Sequence, residues 1–202
     1  MVNKGLEVIE AKWLFGVDVD QIQVVVQPQS IIHSMVEYED GAVIAQLGTP
    51  DMKLPIQYAL YYPQRRYLPG DRLDFWSLTH LDFEKPDMDT FYGLSLAYEA
   101  GRTGGSLPTV FNAANELAVA MFLNREITYL EIVEIIEDCM RAHHNIKSPS
   151  LEQILTAEQE TYERIRSRTV KQDLGIILAI IIFGFIIFIH EFGHFLLAKL
   201  NG

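Results

Sequence analysis

The chain has 202 residues, enough for one domain with an appendage, and its hydrophobic fraction of 49% suffices for a packed core. Its formal net charge of −11 argues against nucleic acid or an anionic membrane surface as the main partner. The single cysteine, Cys139, excludes an internal disulfide and a cysteine-based zinc site. Met1 is not followed by a charged and then an apolar region, so we expect no signal peptide and a cytosolic location for residues 1–170.

The first part of the chain carries the signals of strands. Alternating apolar residues predict a strand at residues 22–29. The Asp40-Gly41 pair predicts a tight turn that joins two further strands. We expect residues 22–48 and parts of residues 73–83 to form a small mixed sheet covered by helices.

Helical signals dominate the second part. A short helix is predicted earlier, at residues 53–62, with Pro55 in its first turn, and residues 63–90 are predicted to be mainly loop. Four later helices are predicted, at residues 91–101, 108–124, 128–144 and 150–171. The last of them opens with the Ser-x-x-Gln spacing of a capping box at Ser150.

The end of the chain has a different composition. From Leu174 to Ile189 there is no charged or polar side chain. With the residues that follow, the apolar stretch reaches about 25 residues, enough to cross a hydrocarbon core about 30 Å thick. We expect a transmembrane helix over residues 174–198, and a buried helix of a soluble domain is the alternative.

Three segments follow from these signals. Residues 1–90 are predicted to be an α/β (α+β) segment with the small sheet, and residues 91–170 a domain of antiparallel helices. Residues 171–202 are predicted to be the membrane segment.

The membrane segment ends with the sequence HEFGH. His190 and His194 lie four positions apart, so both imidazoles face one side of a helix and can bind one Zn²⁺ ion. Glu191 is then placed to act as the general base on a metal-bound water. A catalytic zinc needs three protein ligands, and this motif supplies two, so the predicted site is incomplete.

A second cluster of polar residues lies at the start of the chain, in the sequence NKGLE. An amide and an ammonium group at a helix start, Asn3 and Lys4, can bind an anion, and Glu7 one turn later can ligate a hard divalent cation. From the spacing alone, an ordinary surface pair between Lys4 and Glu7 is the competing interpretation.

Three sequence blocks resemble the 1-deoxy-D-xylulose 5-phosphate reductoisomerase family: MVNKGLEVIEAKWLF, QPQSIIHSMVEYEDGAVIAQLGTPDMKLPI and FNAANELAVAMFL. The resemblance runs from residue 1 to about residue 167. It implies an enzyme that uses NADPH and Mg²⁺ or Mn²⁺ to isomerise and reduce a sugar phosphate. The product is 2-C-methyl-D-erythritol 4-phosphate, in the non-mevalonate route to isoprenoids.

The same resemblance implies roles for particular residues. Substrate binding is implied for four of them: Asn3, Lys4, Ser30 and His33. Glu7 matches one of three metal carboxylates, and Pro50 and Met52 match residues that line the nicotinamide side of the pocket. Gln27 stands where many members have histidine.

Other parts of the family pattern are not found in the sequence. The Gly-rich dinucleotide-binding domain is absent, and the Asp-x-Glu pair with the other two metal carboxylates is expected before residue 1. We therefore expect a truncated enzyme that is inactive alone. The resemblance also implies a possible homodimer through the sheet of the catalytic domain.

The last 28 residues resemble instead the first transmembrane segment of site-2 proteases, which are intramembrane zinc metalloproteases. The basic residues lie mainly before the span, which predicts a cytosolic amino-terminal side. Our expectation is a reductoisomerase portion, residues 1 to about 168, joined to the beginning of such a protease and tethered to the membrane. The alternatives are a zinc protease with a soluble extension and a membrane-tethered interaction module without catalytic activity.

Overall fold

The computed structural model describes residues 1–168 and 182–183 of the chain. Residues 1–168 contain the following elements: α1 (Val2–Phe15), a 3₁₀ turn (Val19–Gln21), β1 (Ile32–Glu37), β2 (Val43–Leu47), α2 (Lys53–Tyr61), α3 (Tyr92–Thr103), α4 (Leu107–Leu123), α5 (Tyr129–Ala142) and α6 (residues 151–168). They form two compact units. The helical unit holds Met1–Ile22 and the residues from Met88 onward, and the hairpin unit is Gln23–Asp87.

The helical unit has the larger apolar core. α4 packs against α5, and the largest fully buried side chains come from α3, α4 and α5: Leu94, Phe111 and Ile136. Each buried side chain of this size contributes about 1.5–3 kcal/mol through removal of apolar surface from water. The predicted helices of this region are confirmed with boundaries shifted by a few residues, and the predicted capping box of α6 forms between Ser150 and Gln153.

The first helix packs with this later part of the chain. Gly5 of α1 lies so close to α3 that a Cβ on it would be 2.3 Å from the Cβ of Ala97, and a Cβ on Gly93 would be 2.6 Å from Val2. Lys12 donates a hydrogen bond from Nζ to the carbonyl oxygen of Gly101, at 2.7 Å. The structure thus groups α1 with α3 in the helical unit.

Polar side chains form hydrogen bonds at the amino-terminal end of α4. Asn145 accepts hydrogen bonds at Oδ1 from the backbone N–H groups of Ser106 (3.0 Å) and Leu107 (3.1 Å). The buried Ser106 hydroxyl lies 2.7 Å from Nε2 of His143 and accepts a bond from the N–H of Ile146 at 2.9 Å. The side chain of Asn145 therefore satisfies two of the orphan donors at the helix start. Burial lowers the pKa of His143 below its ordinary value of 6.5, with the charge of His144 in the same direction and that of Glu160 opposed.

The hairpin unit contains the antiparallel pair β1 and β2. The predicted turn is confirmed: the N–H of Gly41 donates to the carbonyl of Tyr38, and the N–H of Tyr38 donates to the carbonyl of Ala42, both at 2.9 Å. Gly41 has a φ of +83°, a conformation that glycine adopts without steric cost. The short helix predicted at residues 53–62 is confirmed as α2.

The predicted mixed sheet is wrong in its composition. The sheet of the described residues has two strands, both antiparallel, and the predicted strand at residues 22–29 contributes only a single bridge from Val26 to Glu84. Alternating apolar residues form a strand only where a neighbour supplies a ladder, and Pro28 has no N–H to donate to one.

Among residues 1–168 and 182–183, no helix has both the length and the apolar character needed to cross a membrane. The predicted transmembrane helix at 174–198 lies outside the described residues, apart from 182 and 183.

The close contact between α1 and α3 predicts a destabilised Gly5→Ala variant. The added methyl group overlaps Ala97, which costs about 1–3 kcal/mol, while the better helix propensity of alanine returns about 0.5–1 kcal/mol. Because a separation of 2.3 Å is far below any ordinary contact between Cβ atoms, the overlap costs the upper part of this range. We therefore expect a net loss of about 1–2 kcal/mol in the free energy of unfolding, measured by urea denaturation. The double variant Gly5→Ala/Ala97→Gly moves the methyl group across the contact and should recover much of the loss. A Gly5→Ala variant as stable as the parent would contradict the close contact.

The burial of His143 predicts that the free energy of unfolding falls as the pH drops below about 6.5. In this pH range His143 is protonated more fully in the unfolded chain than in the folded protein. The unfolded state therefore binds more protons and is stabilised relative to the folded state as the pH falls. The measurement is the free energy of unfolding between about pH 7 and about pH 5.5. His143→Gln keeps a hydrogen-bonding group without titration and should weaken the pH dependence, whereas the exposed His144→Gln serves as the matched control. Equal slopes for the parent and His143→Gln would refute this role of His143.

Candidate active site

The exposed face of α1 brings Asn3, Lys4 and Glu7 together. Nδ2 of Asn3 donates to Oε1 of Glu7 at 3.2 Å, and Nζ of Lys4 donates to Oε2 at 2.5 Å. The opposite face of the helix buries Gly5, Val8 and Ile9. The helical spacing therefore directs the three polar side chains outward while the apolar face fixes the helix.

This arrangement can bind oxygen-rich ligands. Glu7 offers one hard carboxylate to a divalent cation, and Lys4 and Asn3 offer an ammonium and an amide to phosphate or hydroxyl oxygens. The side chains of Lys4 and Glu7 are each about half exposed, so both can exchange partners with a ligand. Within the described part of the chain, no group of three or more His, Cys, Asp or Glu residues could hold a metal ion. The residues present thus supply one metal ligand here and do not fit a complete site.

The hairpin unit places the other four predicted residues at the open end of the β1–β2 pair. Ile32 pairs with Leu47 at this end, and the N–H of Gly48 donates to the carbonyl of Ile31 at 3.0 Å. Ser30 precedes β1 and His33 lies near its start, while Pro50 and Met52 follow β2. The antiparallel register therefore brings together two segments that are about twenty positions apart in sequence.

Ser30 and His33 have unusual backbone surroundings. Ser30 has a φ of +53°, in the left-handed region that residues with a Cβ seldom adopt. The register of the ladder shifts between Ile32 and Ser34, so His33 lies in a β-bulge, and its Nε2 is 3.2 Å from the carbonyl oxygen of Gly48. Bulges redirect side chains and are frequent next to active sites. Both side chains are exposed at the end of the hairpin.

The segment of Pro50 and Met52 leads into α2. Both residues are exposed, and Asp51 between them accepts a hydrogen bond at Oδ1 from the backbone N–H of Lys53 at 2.9 Å. Sequence reasoning did not single out Asp51, although an aspartate just before a helix is a known capping signal. Its hydrogen bond fixes the turn that carries Pro50 and Met52.

Two further residues of the hairpin unit were missed. The side chains of Gln29 and Asp82 are joined by a hydrogen bond of 2.6 Å from Nε2 of Gln29 to Oδ2 of Asp82. They are 53 positions apart, and no local pattern in the sequence relates them.

The predicted site residues belong to separate parts of the chain. Asn3, Lys4 and Glu7 lie in the helical unit, and the other four lie in the hairpin unit. The predicted zinc ligands His190 and His194, and the general base Glu191, lie outside the described residues.

The chain belongs to the family whose model is described as DXP reductoisomerase C-terminal domain. The model matches residues 47–164, more than half of the 202 residues. This match covers the segment from the end of β2 through most of α6, and so includes Pro50 and Met52.

Proteins with the same name are similar over a longer range. The 1-deoxy-D-xylulose 5-phosphate reductoisomerase of Agathobacter rectalis is 67% identical over 168 residues, which are 83% of this chain and 44% of that protein. The reductoisomerase of Lachnoclostridium phytofermentans is 63% identical over 177 residues, 87% of this chain and 46% of that protein. The chain thus spans less than half of the length of the relatives it matches.

Solved structures agree with this relationship. A reductoisomerase from Zymomonas mobilis in complex with NADPH has a TM-score of 0.76 at 44% identity, over 84% of this chain and 45% of that one. A DOX-P reductoisomerase in complex with magnesium has a TM-score of 0.75 at 40% identity, over 86% of this chain and 46% of that one.

Proposed function

We propose that this chain provides part of an enzyme that converts 1-deoxy-D-xylulose 5-phosphate into 2-C-methyl-D-erythritol 4-phosphate with NADPH and Mg²⁺ or Mn²⁺. The observation that carries the proposal is the cluster of Asn3, Lys4 and Glu7 on one exposed helix face of a reductoisomerase-family chain. An ammonium, an amide and a carboxylate are the groups that a phosphorylated, metal-dependent substrate requires.

Each residue of α1 has a distinct role in this proposal. Lys4 binds oxygens of the sugar phosphate through its ammonium group, and Asn3 donates its amide to a substrate hydroxyl. Glu7 supplies one carboxylate to the divalent ion. A divalent ion held with the help of Glu7 would supply Lewis-acid polarisation of a substrate carbonyl. In the described structure, Glu7 already aligns Asn3 and Lys4 through hydrogen bonds, so the side chains are oriented before any ligand binds.

The open end of the hairpin supplies the second set of groups. Ser30 and His33 offer a hydroxyl and an imidazole to the polar part of the substrate. Pro50 and Met52 offer apolar surface to the nicotinamide ring of NADPH, which excludes water from the path of hydride transfer. Because these side chains are exposed, a ligand can reach them.

We infer that the chain does not catalyse the reaction by itself. Glu7 is one carboxylate, and the described residues hold no cluster of three metal-ligating side chains. Mg²⁺ binds weakly to a single carboxylate because it keeps its own water shell unless several oxygens replace it. We propose that catalysis requires groups besides those described here, namely the other two metal carboxylates and the NADPH-binding domain that the family resemblance implies.

The test is complementation. The full chain is mixed with the portion of the Agathobacter rectalis reductoisomerase that the chain does not match, and NADPH oxidation by the sugar phosphate is followed. We expect activity from the mixture and none from either part alone. Glu7→Gln should lower kcat/KM at least about a hundredfold, since even outer-shell partners of metal sites change activity 10–100-fold. Sedimentation of the active mixture then tests the homodimer that the family resemblance implies.

The matched control is Glu10→Gln, which changes an exposed glutamate of the same helix. It should leave activity unchanged. Glu7→Gln should change the free energy of unfolding by less than about 1 kcal/mol, because exposed ion pairs contribute little. Equal activity of Glu7→Gln and the parent would overturn the role of Glu7, and an inactive mixture would overturn the proposed function.

The HEFGH sequence supports a separate proposal for the end of the chain. His190, Glu191 and His194 have the spacing of a zinc hydrolase and follow an apolar stretch of membrane-spanning length. We propose that residues 174–202 are a membrane anchor that resembles the start of a site-2 protease and that the enzyme portion stays in the cytosol. There are two other proposals for this segment: it belongs to a complete zinc protease, or it tethers an interaction module without catalytic activity.

Zinc content separates the complete zinc protease from the other two proposals. The full chain is extracted from membranes with detergent, and bound zinc is measured for the parent and for His194→Ala. We expect no retained zinc in either, because two imidazoles do not complete a site that needs three protein ligands. One zinc per chain, lost in His194→Ala, would instead support the protease.

A further inference from the structure

The segment before β1 is folded around the side chain of Gln27. Oε1 of Gln27 accepts hydrogen bonds from the backbone N–H groups of Ile31 at 2.7 Å and Ile32 at 3.4 Å. The carbonyl oxygen of Gln27 accepts a further bond from the N–H of Ser30 at 3.0 Å. One residue thus receives three consecutive backbone donors and closes the loop that carries Ser30.

The loop needs this support because burial does not provide it. Ser30 has the disfavoured φ of +53° and an exposed side chain, and Ile31 and Ile32 are only partly buried. Within Gln23–Asp87, Gly48 is the one residue that is fully buried. A left-handed serine persists only where surrounding contacts determine it, and here those contacts are the hydrogen bonds to Gln27.

Gln27 is itself anchored from the far end of the same unit. Its Nε2 donates to Oε1 of Gln29 at 2.5 Å, and Nε2 of Gln29 donates to Oδ2 of Asp82 at 2.6 Å. The backbone of this segment is tied to the same region by the bridge between Val26 and Glu84, with both hydrogen bonds at 2.9 Å. This series of hydrogen bonds, from Gln27 through Gln29 to Asp82, links the start of β1 to residues more than fifty positions later in the sequence.

We propose that Gln27, anchored through Gln29 and Asp82, is a positioning residue that holds Ser30 and His33 in the geometry for substrate binding. The inference rests on the proposed function for the role of Ser30 and His33, while the hold on the loop stands on the contacts alone. An amide suits this task because it accepts two backbone bonds and donates a third without titrating near neutral pH. The position of the loop then does not change with pH.

The first test is backbone amide exchange in the full chain. Gln27→Met has a similar length but no acceptor, so exchange at Ile31 should become about tenfold faster, the effect of one lost hydrogen bond of ordinary strength. Gln27→Glu keeps the acceptor for Ile31 but loses the bond donated to Gln29, so its protection should lie between that of the parent and that of Gln27→Met. The matched control is Gln64→Met, which removes an exposed amide of the same unit that accepts a bond from Arg66.

The same exchange experiment contains an internal reference that reports whether the hairpin is still folded. The N–H of Tyr38 bonds to Ala42 at the other end of the hairpin and should keep its protection in every variant. If Gln27→Met also unprotects Tyr38, the milder Gln27→Asn, one methylene too short to reach Ile31, replaces it. Unchanged exchange at Ile31 in a variant that keeps Tyr38 protected would overturn the proposal.

The second test uses the complemented enzyme and separates positioning from folding. Misplaced Ser30 and His33 weaken substrate binding, so Gln27→Met should raise KM about tenfold, with a smaller change in kcat. Gln27→Glu keeps the acceptor and should show a smaller rise in KM than Gln27→Met. A merely structural role would lower the active fraction, and so kcat, at unchanged KM, which would count against positioning. An inactive parent mixture refutes the proposed function, and the exchange experiment still decides whether Gln27 holds the loop.

Discussion

The position of the polar residues of α1 depends on the close approach of α1 to α3. At Gly5 there is no room for a side chain, since a Cβ would lie 2.3 Å from that of Ala97. This contact lets the backbones pack closely and fixes the rotation of α1, so its buried face points to the core and Glu7 points outward. A helix holds its side chains in register, and one fixed contact therefore positions all three polar groups of the NKGLE sequence.

The two units are stabilised by different forces. The helical unit has a core of apolar side chains, whereas the hairpin unit has almost no buried side chain. Backbone hydrogen bonds, capping groups and the side-chain hydrogen bonds that join Gln27, Gln29 and Asp82 stabilise the hairpin unit instead. Isolated two-stranded hairpins are marginal in water, and exposed apolar strand residues such as Val36 and Ile44 add a tendency to associate.

Local signals in the sequence predicted most of the elements. Helical periodicity, the capping box at Ser150 and the Asp40-Gly41 turn each depend on residues within one or two turns, so they predicted the helices and the hairpin. The strand at residues 22–29 failed because its pattern is local but a ladder needs a partner. The contact of Gly5 with Ala97 and the left-handed Ser30 depend on residues distant in sequence or on backbone geometry, and neither leaves a pattern that a single sequence reveals.

The same distinction explains how the site residues behave. The resemblance to the family identified Asn3, Lys4 and Glu7, and helical spacing alone explains why they meet. His33 was identified in the same way, but its direction is set by a bulge, and the bulge follows the loop that Gln27 closes. A helix-borne group thus tolerates change in its neighbours as long as the helix stays seated. A group at the end of an exposed hairpin depends on each hydrogen bond that fixes its backbone, which makes the polar residues around it as important as the site residues themselves.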